Sequence, residues 1–158
     1  MKSALYGLFA VLVAFAAAPA WADEPAPNKI RVLLTYGGHE FEEAPLWAMF
    51  DALPNVQYTK APMPESAAML KPGLEKQYDV IVMYDMVPQI TPEQQKAFVE
   101  LLQRGIGVVS LHHNMGANRD WSEFAKLIGG KFCHQKIDIG GKDYGPSGWE
   151  HDQEIAVS

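Results

Sequence analysis

The sequence is poor in cysteine, in basic charge and in long apolar runs. It holds one cysteine, Cys133, among 158 residues, which excludes an internal disulfide, a cysteine-based zinc site and a thiol-redox pair. Lysine and arginine number 13 against 19 aspartate and glutamate, for a formal net charge of -6 at pH 7, and no basic run occurs. Neither nucleic acid nor an anionic membrane surface is therefore an expected partner.

An almost wholly apolar run lies at the N-terminus, from Ala4 to Ala18. It is shorter than the roughly 20 residues that span a bilayer as a helix. It follows Lys2 and precedes Ala20-Trp21-Ala22, a small-residue pattern after which signal peptidase cleaves. We therefore expect a periplasmic or secreted protein with no membrane association after cleavage. The predicted segments are a signal peptide over residues 1–22, a flexible tether over residues 23–29 and one domain over residues 30–158.

Short apolar runs alternate with amphipathic stretches along the rest of the chain. The short runs are rich in β-branched residues and are typical of strands buried on both faces. The sequence therefore predicts an α/β fold, a doubly wound, mostly parallel sheet in a three-layer sandwich. A further alternating run at the C-terminus has no turn after it, so we expect the domain to be incomplete there. The predicted strands cover residues 30–36, 56–61, 78–85, 107–112 and 153–158, and the predicted helices cover residues 43–53, 92–104 and 121–128.

Local signals mark the ends of these elements. Thr91 and Gln94 form the sequence pattern of a capping box for the second helix, and Asp120 and Glu123 repeat that pattern for the third. The first helix is apolar nearly all round its circumference, and Pro54-Asn55 marks its end.

Histidine and carboxylate side chains, which are suited to catalysis, lie where the predicted strands end. In an open parallel sheet, ligands bind beyond the carboxyl ends of the strands, near the switch in strand order. The segments after the first, third and fourth strands contain three of the five histidines together with several carboxylates, a combination that suits acid/base or metal chemistry. The candidate catalytic residues are His39, Glu40, Asp85 and His112, and the candidate substrate-binding residues are Gly38, Phe41, Tyr84, His113 and Asn114.

Each candidate also has a structural interpretation. His39 is able to satisfy a loop backbone or to cap the helix that follows, and Asp85 is able to cap the turn at Pro88 to Thr91. Because neighbours on a strand point to opposite faces, His112 and His113 serve one site only if the strand breaks at this pair.

Four ordered motifs resemble the trehalose-utilisation (ThuA-like) domain family, over about residues 30–158. The motifs are Gly37-Gly38-His39-Glu40-Phe41, Tyr78 to Val82, Gly105 to His113 and Trp121 to Phe132. The resemblance implies a fold similar to class I glutamine amidotransferases, in which Val109 to His112 would occupy the nucleophile turn. His112 then stands in place of the catalytic cysteine, so glutaminase activity is not expected. The family's association with sugar metabolism, including oxidised (keto) disaccharides, implies a carbohydrate substrate.

The residues and the resemblance lead to one hypothesis. His39 and His112, with Asp85 or Glu40, act on a sugar carbonyl: one group removes the acidic proton beside it while another donates to the oxygen. Histidine suits both tasks because its ordinary pKa of about 6.5 leaves both forms populated near neutrality. The residues leave open a variant in which a divalent metal polarises the oxygen instead. The metal ligands in that variant would be His39, His112 and His113.

A second hypothesis is a non-catalytic exported module that binds sugars or another partner through exposed aromatic side chains. Trp47 and Trp121 fall on core-facing helical stripes, whereas Tyr144 and Trp149 lie in a glycine-rich loop. Tyr84 is the fifth aromatic candidate for stacking on a sugar ring. A small carbohydrate is the expected ligand under both hypotheses, and a homo-oligomer is compatible with each.

Overall fold

The computed structural model describes residues 29–152, 154 and 156. The predicted signal peptide, most of the tether and most of the predicted strand over residues 153–158 lie outside the described residues. Within the described part of the chain, no helix is long and apolar enough to cross a membrane.

The centre of the fold is a parallel sheet. Its strands are β1 (Ile30–Gly37), β2 (Val56–Pro62), β3 (Val80–Asp85) and β4 (Gly107–Ser110), and among the described residues they lie in the order β2-β1-β3-β4. Every pair in this sheet is parallel, which confirms the predicted α/β class. The chain first steps outward from β1 to β2 and then continues on the other side of β1 with β3. The switch point of the sheet is therefore the gap between β1 and β3.

The central strand β1 is buried on both faces, as its continuous apolar sequence predicts. Leu33 packs with Ile81 in one cluster, and Val32 and Leu34 pack with Val82 in another on the opposite face. Successive side chains of a strand point to opposite faces, so a run of consecutive aliphatic residues fills both layers.

Helix α2 (Pro92–Gln103) covers one face, and the predicted capping box at its start is confirmed. The Gln94 backbone N–H donates to Thr91 Oγ1 at 3.3 Å, and the Thr91 N–H donates to Gln94 Oε1 at 2.9 Å. Its buried residues Phe98 and Leu101 pack into the larger apolar cluster. The helix is thus fixed by a local signal at one end and by the core along its face.

Helix α3 (Ser122–Ile128) lies on the same face, but the predicted capping box at its start is wrong. The residue before the helix is Trp121, and no side chain caps the first turn. Trp121 is buried and meets the Phe98 ring edge-on at 6.0 Å between centroids. The Asp120 carboxylate instead accepts from the Gln135 amide at 3.4 Å. Tertiary packing of the tryptophan therefore sets this helix start.

Helix α1 (Glu43–Asp51) covers the opposite face, and only part of its apolar circumference is buried. Phe50 is its buried residue, and Leu46 and Trp47 are partly buried against the sheet. Met49 is 50% exposed. A helix lying on one sheet face buries a single stripe, and no described element covers the rest of its circumference.

The remaining segments are short. One 3-10 turn spans Glu65–Met69, and a second spans Leu74–Lys76. Strand β4 is shorter than predicted, because the chain leaves the sheet after Ser110 and forms a 3-10 turn at His112–Gly116. A small antiparallel hairpin that the sequence did not predict joins β5 (Ile137–Asp138) to β6 (Asp143–Tyr144).

Candidate active site

The candidate site lies at the switch point, where the chain leaves β1 and crosses the end of β3. Gly37 pairs with Asp85, and the Met86 N–H donates to the Gly37 carbonyl at 2.8 Å. Gly38 has φ +76°, and a Cβ at this position would lie 2.8 Å from the carbonyl carbon and oxygen of Met86. A side chain would not fit there, so glycine permits the crossing. The crossing carries His39 over the end of β3.

His39 is bound to the backbone through both of its ring nitrogens. Nε2 lies 2.9 Å from the Tyr84 carbonyl oxygen, and Nδ1 lies 3.0 Å from the Glu40 carbonyl oxygen. Both partners only accept, and a neutral imidazole has one N–H. His39 therefore satisfies both contacts only when it carries two protons.

Three imidazole rings lie in contact at this edge of the sheet. The His39 and His113 rings are stacked, with centroids 4.2 Å apart and planes at 17°. The His112 and His113 rings are also 4.2 Å apart, inclined at 48°. The structure thus brings together the three predicted histidines from the segments after β1 and β4.

The backbone explains how the two neighbouring histidines reach one site. Strand β4 ends at Ser110, before the pair, so the alternation of a strand does not apply to them. His112 has φ +43°, a left-handed conformation that is uncommon for a residue with a side chain and costs about 1–2 kcal/mol. The tight turn at His112 directs the two rings toward each other. His112 itself is exposed.

His113 is half-buried, whereas His112 is exposed. Its Nδ1 is buried and has no hydrogen-bond partner among the residues that the structure describes. Burial lowers the pKa of His113, and repulsion from His39 and then from His112 lowers that pKa further. The His113 ring is therefore held toward its neutral form.

Asp85 lies beneath the histidines and is 3% exposed. Thr35 Oγ1 donates to Asp85 Oδ1 at 2.5 Å, and Asn114 Nδ2 lies 3.4 Å from Asp85 Oδ2. Burial raises the pKa of this carboxyl, against the opposing effects of the Thr35 hydrogen bond, of backbone N–H groups and of His39. The turn that Asp85 was considered to cap is bound instead by Asn118, whose Oδ1 accepts from the Ile90 N–H at 3.1 Å.

Asn114 is a buried connector and not a surface group. It is fully buried, its Nδ2 donates to the Asp85 carbonyl at 3.1 Å, and its Oδ1 accepts from Ser110 Oγ at 2.8 Å. The fully buried side chain is not exposed to a ligand, so its predicted contact with substrate does not fit this position. Thr35, Asp85, Asn114 and Ser110 form one hydrogen-bond chain that joins the ends of β1, β3 and β4.

Sequence reasoning missed Thr35 and Ser110, the two hydroxyl residues of this chain. Each is a polar residue inside an apolar strand run. This pattern predicts a buried hydrogen bond, because a buried hydroxyl needs a hydrogen-bond partner. Nothing in the sequence singles out His134 either. Its Nε2 lies 3.0 Å from the Gly116 carbonyl oxygen, at the end of the turn that carries the other two histidines.

An aromatic cluster borders the histidines on the side of α1. The Phe41 ring lies edge-on to Tyr84 at 5.4 Å and 5.5 Å from His39, and it also meets Trp47 at 6.0 Å. Tyr36 completes the cluster at 5.0 Å from Trp47. Phe41 and Tyr84, two of the predicted substrate-binding residues, thus lie beside the imidazoles. Glu40 is exposed next to them.

Other aromatic candidates lie apart from this cluster. Trp121 is 7% exposed and belongs to the core. Its ring is therefore not available to stack on a sugar. Trp149 is 67% exposed and contacts the His151 ring edge-on at 4.6 Å, and Tyr144 is 41% exposed.

The histidines do not fit the metal variant. Among the described residues, no group of three or more His, Cys, Asp or Glu side chains is arranged to hold a metal ion. Both nitrogens of His39 are directed at carbonyl oxygens, and its ring stacks face to face on His113. Imidazole lone pairs lie in the plane of the ring, so stacked rings do not direct them at a common point.

Comparison with known families identifies the chain more closely. The ThuA family model, described as trehalose utilisation, matches residues 12–156. No curated protein and no solved structure gives a match. The family match covers almost the whole chain, agrees with the parallel α/β sheet and supports a role related to sugar utilisation. The chain therefore belongs to the ThuA trehalose-utilisation family, with its amidotransferase-like fold.

Proposed function

We propose that this protein is exported and acts on an oxidised (keto) sugar or glycoside by acid/base chemistry at the three histidines. The observation that carries the proposal is the contact of three imidazoles at the switch point, with centroids 4.2 Å apart in both pairs. Ligand sites of open parallel sheets occur at this point. The family's role in sugar utilisation supplies the substrate class.

The chemistry needs a base and a hydrogen-bond donor. A keto group acidifies the hydrogen on the neighbouring carbon; the base takes this proton, the electrons of the C–H bond form the C=C bond of an enolate, and the former carbonyl oxygen gains the negative charge. His112 suits the role of base because its ring is exposed at the tip of a turn. Histidine is the side chain that most often serves as a general base in enzymes.

The carboxylates of Asp85 and Glu40 differ in their exposure to solvent. Asp85 is too deeply buried to reach a sugar, so its role is to bind the backbone and side chains beneath the histidines. Glu40 is exposed beside His39 and is the alternative base. The turn after β4 carries His112 and no cysteine, so glutamine hydrolysis is not part of the proposal.

Turnover of a matched sugar panel tests the proposal. Keto-disaccharides and their unoxidised parents are incubated with the wild type, His112→Ala and His151→Ala, and the products are followed by NMR. We expect the wild type and His151→Ala to convert a keto sugar and His112→Ala to lose at least about 10²-fold in kcat. His151 is the control because its ring contacts Trp149 and not the three histidines. Equal rates for all three proteins would contradict the role of His112.

The aromatic cluster favours a second candidate, a sugar-binding module without catalysis. Phe41, Tyr84 and Trp47 offer apolar rings beside polar side chains, a combination found in small-molecule sites. Under this alternative, sugars raise the melting temperature of the protein and none of the panel is converted.

Export is tested on the mature protein. The apolar run and Ala20-Trp21-Ala22 support cleavage after Ala22. N-terminal sequencing of the protein recovered from the periplasm or medium should begin at Asp23. An intact Met1 would contradict the proposed export.

A further inference from the structure

We infer that His113 is a catalytic residue that acts as an uncharged imidazole, donating its Nε2–H to the carbonyl oxygen of the substrate, and that His39 is the positioning residue that holds it in this state. The inference rests on the proposed function and assigns the donor that the reaction requires.

His39 is held in place by the backbone. Its two ring nitrogens lie 2.9 Å and 3.0 Å from carbonyl oxygens of Tyr84 and Glu40. Both ring nitrogens are thus engaged with backbone carbonyl oxygens, and donating to a substrate would break one of these contacts. His39 is therefore suited to fixing the ring that stacks on it and unsuited to proton transfer.

Burial of one ring nitrogen determines the tautomer of His113. Its Nδ1 is buried without a partner, so this atom carries either a lone pair or an N–H that nothing accepts. Orphaned buried N–H groups are rarer in proteins than under-satisfied acceptors, and a charged ring would bury such an N–H together with its charge. A neutral ring with its proton on Nε2 avoids both costs.

Two imidazoles face His113. His39 stacks on it from the loop after β1, and His112 lies against it within its own turn. Asp85, at the end of β3, is bonded to Asn114, the next residue in the chain after His113. The two facing imidazoles oppose a positive charge on His113. The lowered pKa of His113 agrees with this arrangement.

The reaction requires a donor to the substrate oxygen. When the base removes the proton beside the keto group, negative charge develops on the oxygen, and a hydrogen bond to that oxygen strengthens as the charge forms. A neutral imidazole is able to serve as this donor. The proton stays on Nε2 in the enolate-forming step, so the step needs no redox partner and no further proton donor.

Imidazole ¹⁵N NMR tests the state of His113 without any substrate. In the wild type we expect His113 to stay neutral, with its proton on Nε2, from about pH 8 down to below its ordinary titration range near pH 6.5. In His39→Asn the stacked ring is gone, and the titration midpoint of His113 should rise toward that range. Protonation of Nδ1 in the neutral form, or a midpoint that His39→Asn leaves unchanged, would overturn the inference.

Kinetics test the catalytic role. His113→Phe keeps a flat ring without a donor and should lose about 10²–10³-fold in kcat with little change in KM. His113→Gln keeps an N–H donor and should recover part of that loss. Wild-type kcat in His113→Phe would overturn the inference even if keto sugars are converted. The expected NMR result combined with no conversion by the wild type would instead overturn the proposed function and leave the uncharged state of His113 standing.

Discussion

At the scale of single residues, the site depends on a close approach that glycine allows. Gly38 crosses the end of β3 with φ +76°, and its Cα faces the Met86 backbone. Since this crossing places His39 over Tyr84, the imidazole contacts depend on a residue that has no side chain.

Gly38→Ala should destabilise the protein more than Gly73→Ala. Both glycines have positive φ, which costs an alanine about 1–2 kcal/mol. A Cβ at Gly73 (φ +101°) meets nothing within 4 Å, whereas one at Gly38 lies 2.8 Å from backbone atoms of Met86. The total loss for Gly38→Ala should therefore reach about 2–3 kcal/mol. Urea unfolding measures both losses, and equal values for the two variants would show that crowding at Gly38 is relieved without cost.

Sequence reasoning located the polar residues of the site better than their orientations. The ends of parallel strands meet at one edge, so placing His39, His112 and His113 there follows from the strand pattern. The direction of a side chain in a turn does not follow from it. Asn114 was expected to contact substrate and is fully buried. The left-handed conformation of His112 is only weakly indicated by its residue type, because histidine is enriched at positive φ but seldom adopts it.

At the scale of elements, the two predicted capping boxes show when a local signal is sufficient. The Thr91 box forms as predicted, because its residues precede a helix whose face fits the core. The Asp120 box does not form, because burial of Trp121 sets the start of α3. Tertiary packing of Trp121 overrides the local capping signal, and a four-residue pattern contains no information about such packing.

These two boxes also give a matched prediction. Thr91→Ala removes the acceptor of the Gln94 N–H and should lower the free energy of unfolding by about 1 kcal/mol. Asp120→Ala removes a 3.4 Å contact to Gln135 and should cost less than about 0.5 kcal/mol. Chemical denaturation of both variants measures the difference. A loss at Asp120 as large as that at Thr91 would indicate that Asp120 caps α3 in solution.

At the scale of the whole molecule, alternating strands and helices were enough to predict the parallel α/β class. The strand order was not predictable in the same way. It depends on which strands pair with the two sides of β1, and no local pattern specifies those pairings. In the structure, β1 lies between β2 and β3, and β2 forms one edge of the described sheet.

Acid stability of the whole molecule should depend on the ion pair between Arg31 and Asp79, which joins the start of β1 to the start of β3. Its Arg31 Nη2–Asp79 Oδ1 distance is 2.6 Å, and hydrogen bonds from Arg31 lower the pKa of Asp79 to about 2. A carboxyl with a lowered folded-state pKa stabilises the fold above its unfolded pKa, and that stabilisation disappears as pH falls through the folded value.

Asp79→Asn should therefore lower the melting temperature above about pH 4, where the unfolded carboxyl is ionised. The difference from the wild type should shrink between about pH 4 and pH 2. The effect is modest because both side chains are more than 40% exposed and the pair is screened by water and salt. Melting curves between pH 2 and pH 7 measure it, and a difference that stays constant over this range would contradict the linkage.

The most direct test of the account is solvent deuterium exchange at the carbon beside the keto group of a keto-disaccharide, followed by ¹H NMR in D₂O. Removal of that proton by His112 predicts that the wild type catalyses loss of the proton signal and that His112→Ala does so at least about 10²-fold more slowly. The account would be contradicted if the sugar bound to the wild type and its proton signal decayed no faster than in buffer.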